Sequence, residues 1–148
     1  MVNSIALIAH DGKKKELVEW FDKNKEILKN KLIYATGTTG TIIEKKFDIK
    51  MHKFFSGPLG GDIQIGNMIL ENKIDLLIFF WDPLEAQPHD PDIKALLRIA
   101  VLFNIPVACN QSTADFLINS KFFNETYERR IIDESNRLQR ERIIDFNL

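Results

Sequence analysis

Residues 74–81, Ile-Asp-Leu-Leu-Ile-Phe-Phe-Trp, limit the fold more than any other stretch of the chain. A run so short and so apolar reads as a strand buried on both faces, the habit of a central strand in a parallel sheet. Four more short apolar runs flank it in sequence, at 4–9, 32–35, 50–55 and 104–109, the third interrupted by polar residues. Between them lie segments with apolar residues at helical spacing, such as Leu17, Val18, Trp20 and Phe21, or Ile93, Leu96, Leu97, Ala100 and Phe103. Strands alternating with helices predict an α/β fold: a doubly wound, Rossmann-like parallel sheet of about five strands. At 148 residues the chain is expected to form a single domain, 1–148, with 122–148 as a charged tail of it.

A doubly wound sheet places its ligand beyond the carboxyl ends of the strands. That rule gathers the polar clusters of this chain on one rim. His10, Asp11 and Lys14 follow the first strand, and Thr36, Gly37, Thr38, Thr39 and Gly40 follow the second. Ser56 to Asp62, with three glycines and a proline, follow the third. The fourth is followed by a loop, 82–92, stiffened by three prolines and bearing four carboxylates.

Each cluster has an ordinary reading beside a functional one. Asp62 stands where a glycine-rich turn becomes a helix, a place that capping and the helix dipole favour for any aspartate. Three lysines at 13–15 are usually a solvated helix end, unless one of them faces a bound anion. A strand, a Gly/Thr turn and a helix start offer free amides and hydroxyls to a phosphate, although such turns are commonly plain turn chemistry. No Walker A loop and no Gly-x-Gly-x-x-Gly fingerprint occurs, so the phosphate is expected on a small metabolite, and the lack of a Gly-x-Ser-x-Gly elbow argues against a Ser-His-Asp nucleophile. A carboxylate beside it could act as a base on carbon, with a histidine polarising a carbonyl. His10-Asp11 and His89-Asp90-x-Asp92 could instead hold a metal, which ranks second because their spacing is not diagnostic. His52, in the third strand, is expected to be structural or exposed. Ser112-Thr113-Ala114-Asp115 has the form of a helix N-terminus, and the tail is expected to be a strand or turn followed by an exposed helix.

A net charge of −1 gives no pull toward nucleic acid or an anionic membrane. One cysteine excludes an intramolecular disulfide, and no apolar run reaches membrane-spanning length. A cytoplasmic protein is the expectation.

Taken together and in order, several stretches resemble the methylglyoxal synthase family. They are Ala-Leu-Ile-Ala-His-Asp at 6–11, Tyr-Ala-Thr-Gly-Thr-Thr-Gly at 34–40, Ser-Gly-Pro-Leu-Gly-Gly-Asp at 56–62, residues 75–83, and 88–98 with 104–108 and 113–116. The resemblance fades after about Asn124. It implies a carbon–oxygen lyase that converts dihydroxyacetone phosphate to methylglyoxal and inorganic phosphate through an enediolate phosphate. It implies no metal and no cofactor, a homohexamer, and phosphate as product and inhibitor. By resemblance Asp62 is the catalytic base and His89 lies at the substrate's carbonyl and hydroxyl oxygens. His10 and Lys14 bind substrate, and Thr36, Gly37, Thr38, Thr39, Ser56 and Gly57 cradle the phosphate. Asp11 and Asp92 support the site, with Asp92 orienting His89, and Arg98 offers a charged contact nearby. The same fold also serves as an effector-binding module, which would keep the cradle without needing Asp62, His89 and Asp92 together. For Asp62 to work as a base, burial should raise its pKa. The family's C-terminal arginine has candidates in Arg137, Arg140 and Arg142, none of which matches the pattern.

Overall fold

A computed structural model describes residues 1–130. Five parallel strands form one sheet: β1 (Ser4–Ala9), β2 (Leu32–Ala35), β3 (His52–Lys53), β4 (Leu76–Phe80) and β5 (Val107–Ala108), in the order β3-β2-β1-β4-β5. The helices are α1 (Lys14–Leu28), α2 (Gly37–Phe47), α3 (Gly61–Leu70), α4 (Asp90–Leu102), α5 (Gln111–Asn119) and the short α6 (Lys121–Asn124).

Side chains of a strand alternate between faces, and both faces of the two central strands are apolar. From β1 and β4, Ile5, Leu7, Leu76, Ile78 and Phe80 pack with Leu17, Trp20 and Phe21 of α1, Ile43 of α2 and Ile118 of α5. Ala6, Ile8, Leu77 and Phe79 pack on the other face with Ile65 and Ile69 of α3 and Ile93, Leu96 and Ala100 of α4. At the amino end of the sheet the Asp75 carboxylate accepts from the amides of Asn3 and Ser4 and from the Ser4 hydroxyl, tying β1 to β4.

Several boundaries differ from the sequence expectation. The third and fifth strands shrink to two residues each, because each sits at an edge and pairs only briefly with its single neighbour. The Gly/Thr stretch is no turn before a helix; it is the first turn of α2, which starts at Gly37. α1, expected over 13–24 from the spacing of its apolar residues, runs on to Leu28, whose side chain is buried, and a 3-10 turn over Asp11–Lys13 precedes it. α5 is capped by Asn110, whose side chain accepts from the Thr113 amide, and not by Ser112. Asp115 instead accepts from Trp20 Nε1 at 2.8 Å, satisfying a buried indole. The expected terminal helix, with Arg137, Arg140 and Arg142, lies outside the described residues. Among the described residues no helix is long and apolar enough to cross a membrane.

Candidate active site

The chain winds outward from β1 in both directions, so the loops after β1 and β4 part at the centre of the sheet. Such a switch point leaves a crevice. A cavity of about 260 Å³ lies there, and its lining includes His10, Lys14, Thr36, Thr38, Ser56, Asp62 and His89.

His10 leaves the end of β1, where its amide donates to Phe80 O of the neighbouring strand at 3.2 Å. The side chain is buried, and its Nδ1 accepts from the Asp82 amide at 3.1 Å. A nitrogen that accepts carries no proton, so the neutral ring holds its hydrogen on Nε2. Nε2 is buried without a partner among the described residues, a donor held ready for an oxygen in the cavity. Burial, and then the neighbouring His89, push the His10 pKa below the usual imidazole value, which keeps the ring neutral.

The Gly-rich turn sets Asp62. Ser56 O accepts from the amides of Leu59 and Gly61, closing a 3-10 turn over Gly57–Leu59, and Gly60 adopts a φ of +95°. A Cβ on Gly61 would lie 1.9 Å from Phe55 O, so only glycine lets the chain fold back here and start α3. Asp62 follows in the first turn of α3, 1% exposed, with neither carboxylate oxygen hydrogen-bonded among the described residues. Burial raises its pKa; His89 opposes this, and the charge of Asp92 adds to it. The expected desolvation of Asp62 is thus present. A buried carboxylate without a hydrogen bond is costly for folding and characteristic of a group that must take a proton.

His89 begins α4, its backbone carbonyl accepting from Asp92 and Ile93. Its Nε2 lies 3.5 Å from Asp62 Oδ2, and its ring centroid lies 6.1 Å from that of His10. Gly57 makes room for it, since a Cβ there would come within 2.6 Å of His89 Nε2.

The N-terminus of α2 completes the cavity. Gly37 N–H donates to Phe55 O and Gly40 N–H to Thr36 O, while the amides of Thr38 and Thr39 have no backbone acceptor among the described residues. The positive end of the α2 dipole and these amides are donors that an anion in the cavity could meet. Thr36 and Thr39 bring their hydroxyls to 3.4 Å of each other. Lys14, the one lysine of the 13–15 run that lines the cavity, donates to Ala9 O at 3.3 Å and pairs with the exposed Asp11. Lys13 and Lys15 pair with Glu16 and Glu19 along the helix.

Comparison with known proteins bears on this arrangement. The family model described as the MGS-like domain matches residues 16–109. The methylglyoxal synthase of Coxiella burnetii (strain Dugway 5J108-111) is 60% identical over 126 residues, covering 85% of this chain and 88% of its own. That of Leptospira interrogans (strain Fiocruz L1-130) is 51% identical over 140 residues and 95% of each chain. The chain belongs to the methylglyoxal synthase family. The crystal structure of methylglyoxal synthase from Elizabethkingia anophelis NUHP1 superposes with a TM-score of 0.87 at 47% identity, over 93% of this chain and 91% of that one.

Within this methylglyoxal synthase fold the candidate residues occupy different places. His10, Asp11, Lys14, Thr36, Thr38, Ser56, Gly57, Asp62 and His89 line the cavity. Gly37 and Thr39, in the first turn of α2, are not among the lining residues, and a Cβ on Gly37 would lie 2.8 Å from Phe54 O in the adjoining loop. Asp92 does not orient His89 by a hydrogen bond, since His89 Nδ1 has no partner among the described residues; its charge acts on Asp62. Arg98 is exposed on α4, outside the cavity lining among the described residues. His52 is exposed, its ring stacked on Tyr34. Of the residues weighed as metal ligands, His10 and His89 do meet, but among the described residues no group of three or more His, Cys, Asp or Glu gathers. Four lining residues were not singled out from the sequence as site residues: Ile8 and Ala9 at the end of β1, Pro58 and Gln87. Pro58 belongs to the glycine-rich stretch. Gln87 lies in the proline-rich loop, and nothing local in the sequence shows that it turns inward.

Proposed function

We propose that this protein converts dihydroxyacetone phosphate to methylglyoxal and inorganic phosphate. The observation that carries the proposal is Asp62: a buried carboxylate with no hydrogen bond among the described residues, 3.5 Å from His89 and lining one cavity with the N-terminus of α2. In this reading Asp62 takes a proton from the hydroxymethyl carbon. The electron pair moves into the carbonyl, whose oxygen is met by the Nε2–H of His10 and by His89. The enediolate phosphate then gives up its hydroxyl proton to His89 as phosphate leaves with the bonding pair of the bridging C–O bond, and the enol left behind takes a proton on its terminal carbon to become methylglyoxal.

Phosphate leaves only if the bridging C–O bond stands perpendicular to the enediolate plane. The cradle at Thr36 to Thr39, Ser56 and Gly57, with Lys14, would set that torsion and stabilise the departing dianion. Asp11 holds Lys14 in place, and Asp92 helps keep the Asp62 pKa raised. Arg98, on the same helix as Asp92, would serve as an outer charged contact. Inorganic phosphate, as product, would compete for the cradle. The family resemblance supports a cytoplasmic homohexamer that uses no metal or cofactor.

The test is to incubate EDTA-treated protein with dihydroxyacetone phosphate and follow both products. Equal appearance of methylglyoxal and phosphate is expected. Binding without turnover would make the protein an effector-binding module, and turnover only after metal is restored would make it a metalloenzyme.

A further inference from the structure

The loop between β4 and α4 places at the cavity wall one polar residue that the proposed chemistry has not used. Gln87 lines the cavity together with His89, two residues further on. It is half-buried, and its side-chain amide has no hydrogen bond among the described residues. Its backbone is held nonetheless: Gln87 O accepts from the Asp90 amide at 3.2 Å, Pro88 follows it, and His89 opens α4. A fixed backbone with an unpaired polar side chain at a cavity wall is the arrangement of a ligand contact.

The other polar groups of the cavity divide the work. The α2 amides, the hydroxyls of Thr36 and Ser56, and Lys14 all favour an anion, and Nε2 of neutral His10 donates to an oxygen. Asp62 only accepts when ionised. A substrate hydroxyl both donates and accepts, and a primary amide answers both without adding charge beside a phosphate dianion. We infer that Gln87 contacts the three-carbon end of the substrate, at its hydroxyl or carbonyl oxygen, and helps to select an uncharged hydroxyketone there. The inference rests on the proposed lyase reading and adds to it a residue that reads the end of the substrate away from the phosphate.

Gln87→Leu keeps the bulk and removes the amide. Loss of one neutral hydrogen bond lowers kcat/KM for dihydroxyacetone phosphate by about threefold to tenfold. Inhibition by inorganic phosphate, which reads the cradle alone, stays the same. Unchanged kcat/KM, or an equal weakening of substrate and phosphate, would overturn the inference, the second because it would place Gln87 at the cradle or in the fold. To separate this from the lyase reading, the same substitution is made in Asp62→Asn and binding of dihydroxyacetone phosphate is measured by calorimetry. Weaker binding of dihydroxyacetone phosphate with unchanged phosphate binding upholds the contact even if the parent makes no methylglyoxal. Equal binding with and without the amide contradicts it whether or not the parent turns over.

Discussion

Gly57 and His89 share one space: a Cβ on residue 57 would lie 2.6 Å from His89 Nε2 and 3.3 Å from its Cδ2. The glycine of one loop therefore sets how close the histidine of another comes to Asp62. Gly57→Ala should displace the ring and lower kcat by about 10²-fold, the cost of a misplacement near 1 Å. Gly66→Ala is the control. A Cβ there meets Ile99 Cδ1 at 3.4 Å inside α3, so activity should persist. Measuring kcat for both variants, with circular dichroism to verify folding, checks the relationship; equal losses would contradict it.

Asp62 should weaken the protein it serves. Its pKa is raised in the folded state by burial, so between 3.8 and the folded value the native chain binds more protons than the unfolded one. Stability then falls as pH rises through that window, and the penalty is complete above it. Asp62→Asn removes the ionising group and should raise stability at neutral and higher pH by about 0.5–2 kcal/mol, the usual gain from relieving such a site. Near pH 4 the gain should shrink. Thermal melts of both proteins across pH measure this, and a gain that grew on acidification would contradict the assigned direction.

At the edge of the sheet, after β5, two side chains hold α5. Asn110→Ala removes its cap and should cost about 0.5–2 kcal/mol, whereas Ser112→Ala should cost little. Asp115→Ala leaves the buried Trp20 indole without an acceptor and should cost about 1–3 kcal/mol. Urea unfolding reads both. kcat should stay at the parent value, because neither residue reaches the cavity.

The strands that the sequence made plain are those whose burial is complete. β1 and β4 are apolar on both faces, and β2 nearly so, and no helix or loop competes for such short runs. β3 consists of exposed His52 and Lys53, so its strand character comes from pairing with Tyr34 and Ala35 and not from its own residues. The start of α2 was obscured because glycine and threonine favour turns. They are used here as helix residues small enough to pack under the 54–56 segment. The capping pattern at 112–115 was a true local signal overruled by Asn110 two residues earlier and by Trp20, distant in sequence. The rim itself was legible, since parallel strands send all their following loops to one edge. Which loop residues reach the cavity, as Gln87 does, depends on loop paths that no local pattern encodes.

The central claim is that Asp62 is the base in a phosphate elimination, and the most direct measurement is kcat of Asp62→Asn beside its affinity for inorganic phosphate. The account predicts that turnover of dihydroxyacetone phosphate falls by about 10²–10⁴-fold, the usual worth of a positioned base, while phosphate binds as in the parent. Turnover within about tenfold of the parent, with phosphate binding intact, would show that another group takes the proton.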